Sequence, residues 1–216
     1  MLTQKPGNSS FEEAATLPTS GVTALQGIRD SGEIQTGQKV LIVGASGGVG
    51  TYAMQIAKYY GAEVTAVCST GKIDMVRSIG ADHVIDYTKE DFTQNGQQYD
   101  LILGVNGYHP LSDYKRALSP EGIYVCLGGA MAQIFASLIL GPLLSKKGGK
   151  QIRNMESVKI NQKDLVLMKE LLEAGKVAPV IDRRYPLSET AEALRYLGEG
   201  HAKGKIVITV VEGGEQ

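Results

Sequence analysis

Four glycines crowd the stretch "GASGGVG", Gly44 to Gly50, directly after the apolar run Val40–Val43. Bare backbone in such a place has a chemical use. Two linked phosphates need backbone N–H groups at close range and the positive end of a helix dipole, and side chains would hold them away. Gly44, Gly47, Gly48 and Gly50 lie between an expected strand and an expected helix, the context in which a dinucleotide pyrophosphate is gripped. Ala45, Ser46 and Val49 complete the turn, and Gly50 has no side chain to block helix–strand packing.

The spacing fits two patterns. Ala45, Gly47 and Gly50 match the dinucleotide fingerprint with alanine for its first glycine, while Gly44, Gly48 and Gly50 match the G-x-x-x-G-x-G form of short-chain reductases. The latter enzymes also require a tyrosine followed four residues later by lysine. None of the ten tyrosines has that neighbour, so the short-chain reading has no chemistry to support it.

The second expected strand ends "AVCSTGK", with no acid between Glu63 and Asp74. An acid there would accept from the ribose hydroxyls of NAD and repel a 2′-phosphate. Ser69 and Thr70 offer hydroxyls instead, and Lys72 a charge, placed in the first turn of a helix where the dipole disfavours a cation unless it faces an anion. NADP(H) is therefore expected ahead of NAD(H). Tyr87 ends the third strand, read either as reaching the adenosine end of the ligand or as a plain strand-end aromatic. Asn106, after the fourth strand, either faces the ribose–nicotinamide half or makes an ordinary Asn-Gly turn. Leu127, Gly128 and Gly129 follow the fifth strand at its carboxyl end, where open α/β sheets bind ligands.

Those residues need a scaffold, and the chain alternates accordingly. Apolar runs at Val40–Val43, Val64–Cys68, His83–Tyr87, Leu101–Val105 and Ile123–Leu127 are separated by helix-like segments at Gly48–Tyr60, Lys72–Ile79, Leu111–Leu118 and Met131–Leu144, with another at Gln162–Ala174. This predicts an α/β fold: a Rossmann-type, doubly wound parallel sheet of order 3-2-1-4-5-6 with helices on both faces. A sixth strand is expected near Ile152–Val158, at an edge that invites pairing and hence a homodimer. Residues 1–35 read as a helical lead-in opening on a capping box at Ser10 and Glu13, 36–178 as the nucleotide-binding domain, and 179–216 as a terminal helix and a strand, Ile206–Val210, that pairs outside the sheet.

The remaining observations narrow the class. Of 216 residues 43% are hydrophobic and the net charge is −1, which gives no reason to expect nucleic acid or a membrane surface as partner. The uncharged run Gly122–Ser145 is interrupted by Gly128, Gly129 and Pro142, so it reads as a strand and an apolar helix rather than a span. That helix carries more large apolar residues than one stripe needs, which calls for a covering partner. Cys68 and Cys126 fall three strand spacings apart in the expected order, about 14 Å, too far for a disulfide. No C-x-x-C or H-E-x-x-H grouping suggests a metal, so no zinc is expected. The first residues lack the pattern of a signal peptide, and a cytoplasmic location is expected.

With "LIVGASGGVG", "GAEVTAVCSTGKIDMVRSIGADHVIDY" and "PVIDRRYPLSETAEALRYLGEGHAKGKIVITV" in view, the chain resembles the C-terminal part of a medium-chain dehydrogenase/reductase of the quinone-oxidoreductase-like, zinc-type alcohol dehydrogenase branch. The resemblance implies NADPH-dependent reduction of quinones, enones or related carbonyl compounds. It implies cofactor roles for Gly47, Gly48, Val49, Ser69, Lys72, Tyr87 and Lys205. It also implies a preceding catalytic domain, since the chain begins where the family has its hinge helix, and it makes Gly104 a departure from the usual Asp. Two functions follow as expectations: the cofactor half of a reductase that turns over poorly alone, or a non-catalytic NADP(H)-binding or interaction module.

Overall fold

Continuous runs of Val, Ile and Leu suit strands buried on both faces, and here they pair in parallel. A computed structural model describes residues 2–129, 131–145, 149–155 and 157–210. Strands β1 (Lys39–Val43), β2 (Glu63–Cys68), β3 (His83–Asp86), β4 (Tyr99–Gly104), β5 (Leu118–Cys126) and β6 (Gln151–Asn154) form one parallel sheet of order β3-β2-β1-β4-β5-β6. Register is in step across the centre, with Val43 opposite both Val67 and Gly104, so the ends of β1, β2 and β4 finish at one level.

Helices cover both faces. Helices α2 (Leu17–Gln26), α3 (Gly48–Tyr59), α4 (Ile73–Ser78) and α7 (Gln162–Glu173) enclose one core around Val40, Ile42, Val64 and Leu101. Helices α5 (Leu111–Ala117) and α6 (Met131–Leu144) lie on the other face, over Leu41, Ile102 and Tyr124. The short α1 (Phe11–Ala15) carries the expected capping box: Glu13 N–H donates to Ser10 Oγ, and Ser10 N–H to Glu13 Oε2. Buried Asp164 ties α7 to the end of α2 and the turn after it, Gly27–Ser31, by accepting from Gln26 Nε2 and from Arg29 Nη1, both at 2.7 Å.

Several boundaries differ from the sequence reading for local reasons. β5 begins five residues early because Ser119–Gly122 are taken up by a bulge between the pairs Tyr99–Leu118 and Leu101–Ile123. β6 stops at Asn154, short of Val158; Glu156 lies outside the described residues. Lys72 ends a single 3₁₀ turn, Thr70–Lys72, that precedes α4. The last strand, β8 (Lys205–Thr209), pairs in parallel with β7 (Ile181–Pro186) in a separate two-stranded sheet, joined through α8 (Thr190–Gly198).

Helix α6 is arranged in an unusual way. Its buried positions are Gln133, Ser137 and Gly141, one i, i+4, i+8 stripe. Phe135, Leu138, Ile139 and Leu143 are exposed. Among the described residues no helix is long and apolar enough to cross a membrane.

The tightest packing sits where β1 turns into α3. A Cβ on Gly50 would lie 2.2 Å from the Gly44 carbonyl oxygen and 2.7 Å from the Ala45 Cα. Backbone cannot yield as a flexible side chain does, so Gly50→Ala is expected to cost about 3 kcal/mol. Urea unfolding measures it, and a loss below about 0.5 kcal/mol would contradict the tight approach.

Candidate dinucleotide site

The turn after β1 is built around Gly44, whose φ of +87° lies in the left-handed region. Its inner amides are engaged: Ala45 N–H donates to the Val67 carbonyl and Gly47 N–H to the Gly44 carbonyl, both at 3.2 Å. The outer amides are not. Ser46, Gly48 and Val49 have no backbone acceptor among the described residues, and the latter two form the first turn of α3. These N–H groups and the helix dipole make the loop electropositive.

Residues from the C-terminal unit border the same turn. Gly204 N–H donates to the Ser46 carbonyl at 2.8 Å, and Gly204 forms a parallel bridge with Gly47. The stem of Lys205 crosses Gly48, its Cδ only 2.6 Å from where a Cβ would stand. Burial lowers the Lys205 pKa, and its ammonium makes no hydrogen bond or ion pair among the described residues. An unpaired, half-buried cation beside a helix N-terminus is unfavourable unless an anion joins it.

A cleft of about 300 Å³ opens beside the turn. It is lined by Val43, Gly44, Ser46, Val67 and Cys68 from β1, β2 and the glycine turn, together with Ser69, Lys72, Tyr87, Asn106, Tyr108 and Gly200. Lys72 Nζ donates to the Ala202 carbonyl at 3.2 Å, leaving further donors on the same nitrogen. Burial lowers its pKa, partly opposed by Asp182. The Cys68 thiol is pushed up to about 11, chiefly by burial and next by Asp86, so it stays protonated at neutral pH. A larger hollow of about 650 Å³ near Arg29 and Arg153 is bordered by charges already paired with Asp30, Asp164 and Glu33.

Of the residues singled out in the sequence, Ser46, Ser69, Lys72, Tyr87 and Asn106 meet in the cleft, with Gly47, Gly48, Val49, Gly50 and Lys205 at its turn. Thr70 is turned away, its hydroxyl donating to Asp86 Oδ2. Leu127, Gly128 and Gly129 lie beside the cleft rather than in it. Leu127 is within packing distance of Gly27, and Gly129 bridges to Gly107. Gly104 has a reason of its own, since a Cβ there would lie 2.6 Å from the buried Tyr124 hydroxyl.

Sequence reasoning missed Tyr108 and Asp86. The acid that binds ribose in the dinucleotide pattern ends β2, whereas Asp86 ends β3. It is buried and accepts from the Thr70 hydroxyl and from Thr88 N–H at 3.0 Å and Thr88 Oγ1 at 2.7 Å. "IDYT" contains the signal, an aspartate bonding the backbone two residues on. The carboxylate is thus occupied within the wall. Cys68 and Cys126 are buried and free. Among the described residues no group of three His, Cys, Asp or Glu side chains is placed to hold a metal.

Comparison with known proteins agrees with this geometry. The sequence profile of the zinc-binding dehydrogenase family matches residues 79–208. A chloroplast envelope quinone oxidoreductase homolog from Arabidopsis thaliana is 33% identical, with 96% of this chain and 65% of the relative covered. An NADPH-dependent alkenal/one oxidoreductase of the same plant is 34% identical, covering 96% of this chain and 50% of the relative. The quinone oxidoreductase structure from Coxiella burnetii superposes with a TM-score of 0.83 at 28% identity, covering 97% of this chain and 64% of that one. The chain therefore belongs to the zinc-binding dehydrogenase family. It is a medium-chain dehydrogenase/reductase of the quinone-oxidoreductase-like branch, with that group's Rossmann-type nucleotide-binding fold. It spans between half and two thirds of the length of these relatives.

The hydrogen bond from Thr70, then those from Thr88, holds the Asp86 carboxyl down at about 2, below the usual carboxylate value near 4. A depressed folded-state pKa contributes stability above the unfolded value and loses it as pH falls through the folded one. Wild-type protein is therefore expected to exceed Asp86→Asn in stability at neutral pH, with the gap closing between about pH 4 and 2. Thermal unfolding across that range measures it; a gap independent of pH would contradict the clasp.

Proposed function

We propose that this chain is the NADPH-holding half of an oxidoreductase that delivers a hydride to a quinone, an enone or a related carbonyl compound. The observation that carries the reading is the unpaired Lys205 ammonium beside the open amides of Ser46, Gly48 and Val49. Together they form a half-neutralised site that a pyrophosphate completes. Preference for the 2′-phosphate is supported by Ser69 and Lys72 in the cleft and by the engagement of Asp86 with Thr70 and Thr88. The acceptor class rests on the names of the relatives.

NADPH supplies the hydride, from its nicotinamide C4. The residues of this chain hold and orient. The glycine turn fixes the phosphates, Ser69 and Lys72 fix the adenosine end, and the loops at Asn106 and Leu127–Gly129 flank the sheet end toward the nicotinamide half. Efficient transfer needs donor and acceptor at near-attack distance in a site closed to water. These residues build one wall, and we assign the other to a domain beyond them. The open edge of β6 and the exposed row on α6 are assigned to a second copy of the chain.

Thermal unfolding tests the cofactor reading. NADPH at 100 times its dissociation constant adds about 2.7 kcal/mol, a rise of roughly 5–10 °C for a protein of this size. NADH at equal concentration is expected to give less, and Lys72→Ala to erase the difference. No rise with either nucleotide would overturn the reading. Turnover is expected to stay about a hundredfold below that of a version joined to a relative's N-terminal domain. Equal rates would contradict the two-wall account, and binding without turnover in both forms would favour a non-catalytic module.

A further inference from the structure

Tyr108 is the largest feature of the cleft to which no role has been given. β3 and β4 are three places apart in the sheet, about 14 Å. Tyr87 follows the first and Tyr108 the second, yet their ring centroids are 6.3 Å apart at an interplanar angle of 65°. The two side chains lean toward each other over the ends of β2 and β1. Both remain about half exposed, at 51% and 53%. Tyr108 is held from behind by His109, whose ring is 4.4 Å away, and His109 meets Phe92 edge-on at 4.9 Å. Phe92 is buried and sits against the similarly buried Tyr114. The outer ring is thus anchored to the core while one side stays open to the cleft.

An anchored aromatic pair, one ring offering an edge to the other, in a cleft also lined by Lys72 and Ser69, is suited to a flat ring attached to phosphates. Stacking on such a surface is tolerant of base identity, because every base has a π-face. We propose that Tyr108, with Tyr87, is the stacking platform for the purine of the bound nucleotide. The proposal rests on the dinucleotide reading above and adds a binding residue to it. Tyr108 recognises the base by its face, without reading the exocyclic groups.

The test compares the unaltered chain with Tyr108→Ala and Tyr108→Phe, using calorimetric titration of two probes. Adenosine 2′,5′-bisphosphate carries the base, and inorganic pyrophosphate lacks it. Tyr108→Ala is expected to weaken the bisphosphate by about tenfold, and Tyr108→Phe to restore it to within about twofold. Pyrophosphate affinity is expected to be the same in all three proteins. A merely structural role would lower both affinities together, and that result overturns the proposal. So does a Tyr108→Ala protein that binds the bisphosphate as tightly as the original. If the unaltered chain binds pyrophosphate but not the bisphosphate, the platform alone fails. If it binds neither probe, nor NADPH, the dinucleotide reading fails with it.

Discussion

The approach of Gly50 to the Gly44 carbonyl sets the rest of the molecule. It lets α3 start directly above the end of β1, so the first-turn amides of the helix face outward over the sheet. A side chain at position 50 would displace the helix, and the register that levels the ends of β1, β2 and β4 would no longer meet a common cleft. The positive φ of Gly44 and the close approach at Gly50 are two halves of one turn. From this follow the electropositive loop, the position of Ser46 and the place where Gly204 and Lys205 dock.

Charge is distributed to match. Two lysines, from segments more than a hundred residues apart, converge on the loop, and neither makes an ion pair among the described residues. The acid that might have balanced them, Asp86, is clasped by two threonine hydroxyls and a backbone amide. Those bonds stabilise its ionised form and fix the turn that carries Ser69 and Lys72. A cleft whose two cations make no ion pair among the described residues, beside an internally satisfied acid, favours a polyanionic ligand over a neutral one.

Local signals were legible where they repeat with a clear period or sit next to one another. The alternation of apolar runs and helical segments predicted the parallel sheet, its order came with the Rossmann type, and "GASGGVG" predicted the turn between β1 and α3. Contacts between distant segments were not legible. Nothing near Tyr108 in the sequence indicates that it meets Tyr87, because the two converge only when β3 and β4 flank β2 and β1. Asp86 was legible in part: its bonds to Thr88 are local and signalled by "IDYT", whereas its partner Thr70 belongs to another strand end. The polar inward stripe of α6 escaped notice because the large apolar residues around it dominate the pattern, although Gln133, Ser137 and Gly141 keep strict helical spacing. Gly104, a departure from the usual Asp in the sequence, has its reason in a distant contact, since the Tyr124 hydroxyl occupies its side-chain space.

The central claim is that outward-facing amides at the start of α3 grip linked phosphates. The most direct measurement is amide NMR of the ¹⁵N-labelled chain during titration with NADPH. The account predicts large shifts for Ser46, Gly48 and Val49 as their N–H groups gain acceptors, with the already bonded Ala45 and Gly47 changing much less. Saturable binding that leaves those three resonances in place, with shifts gathered elsewhere, would contradict it.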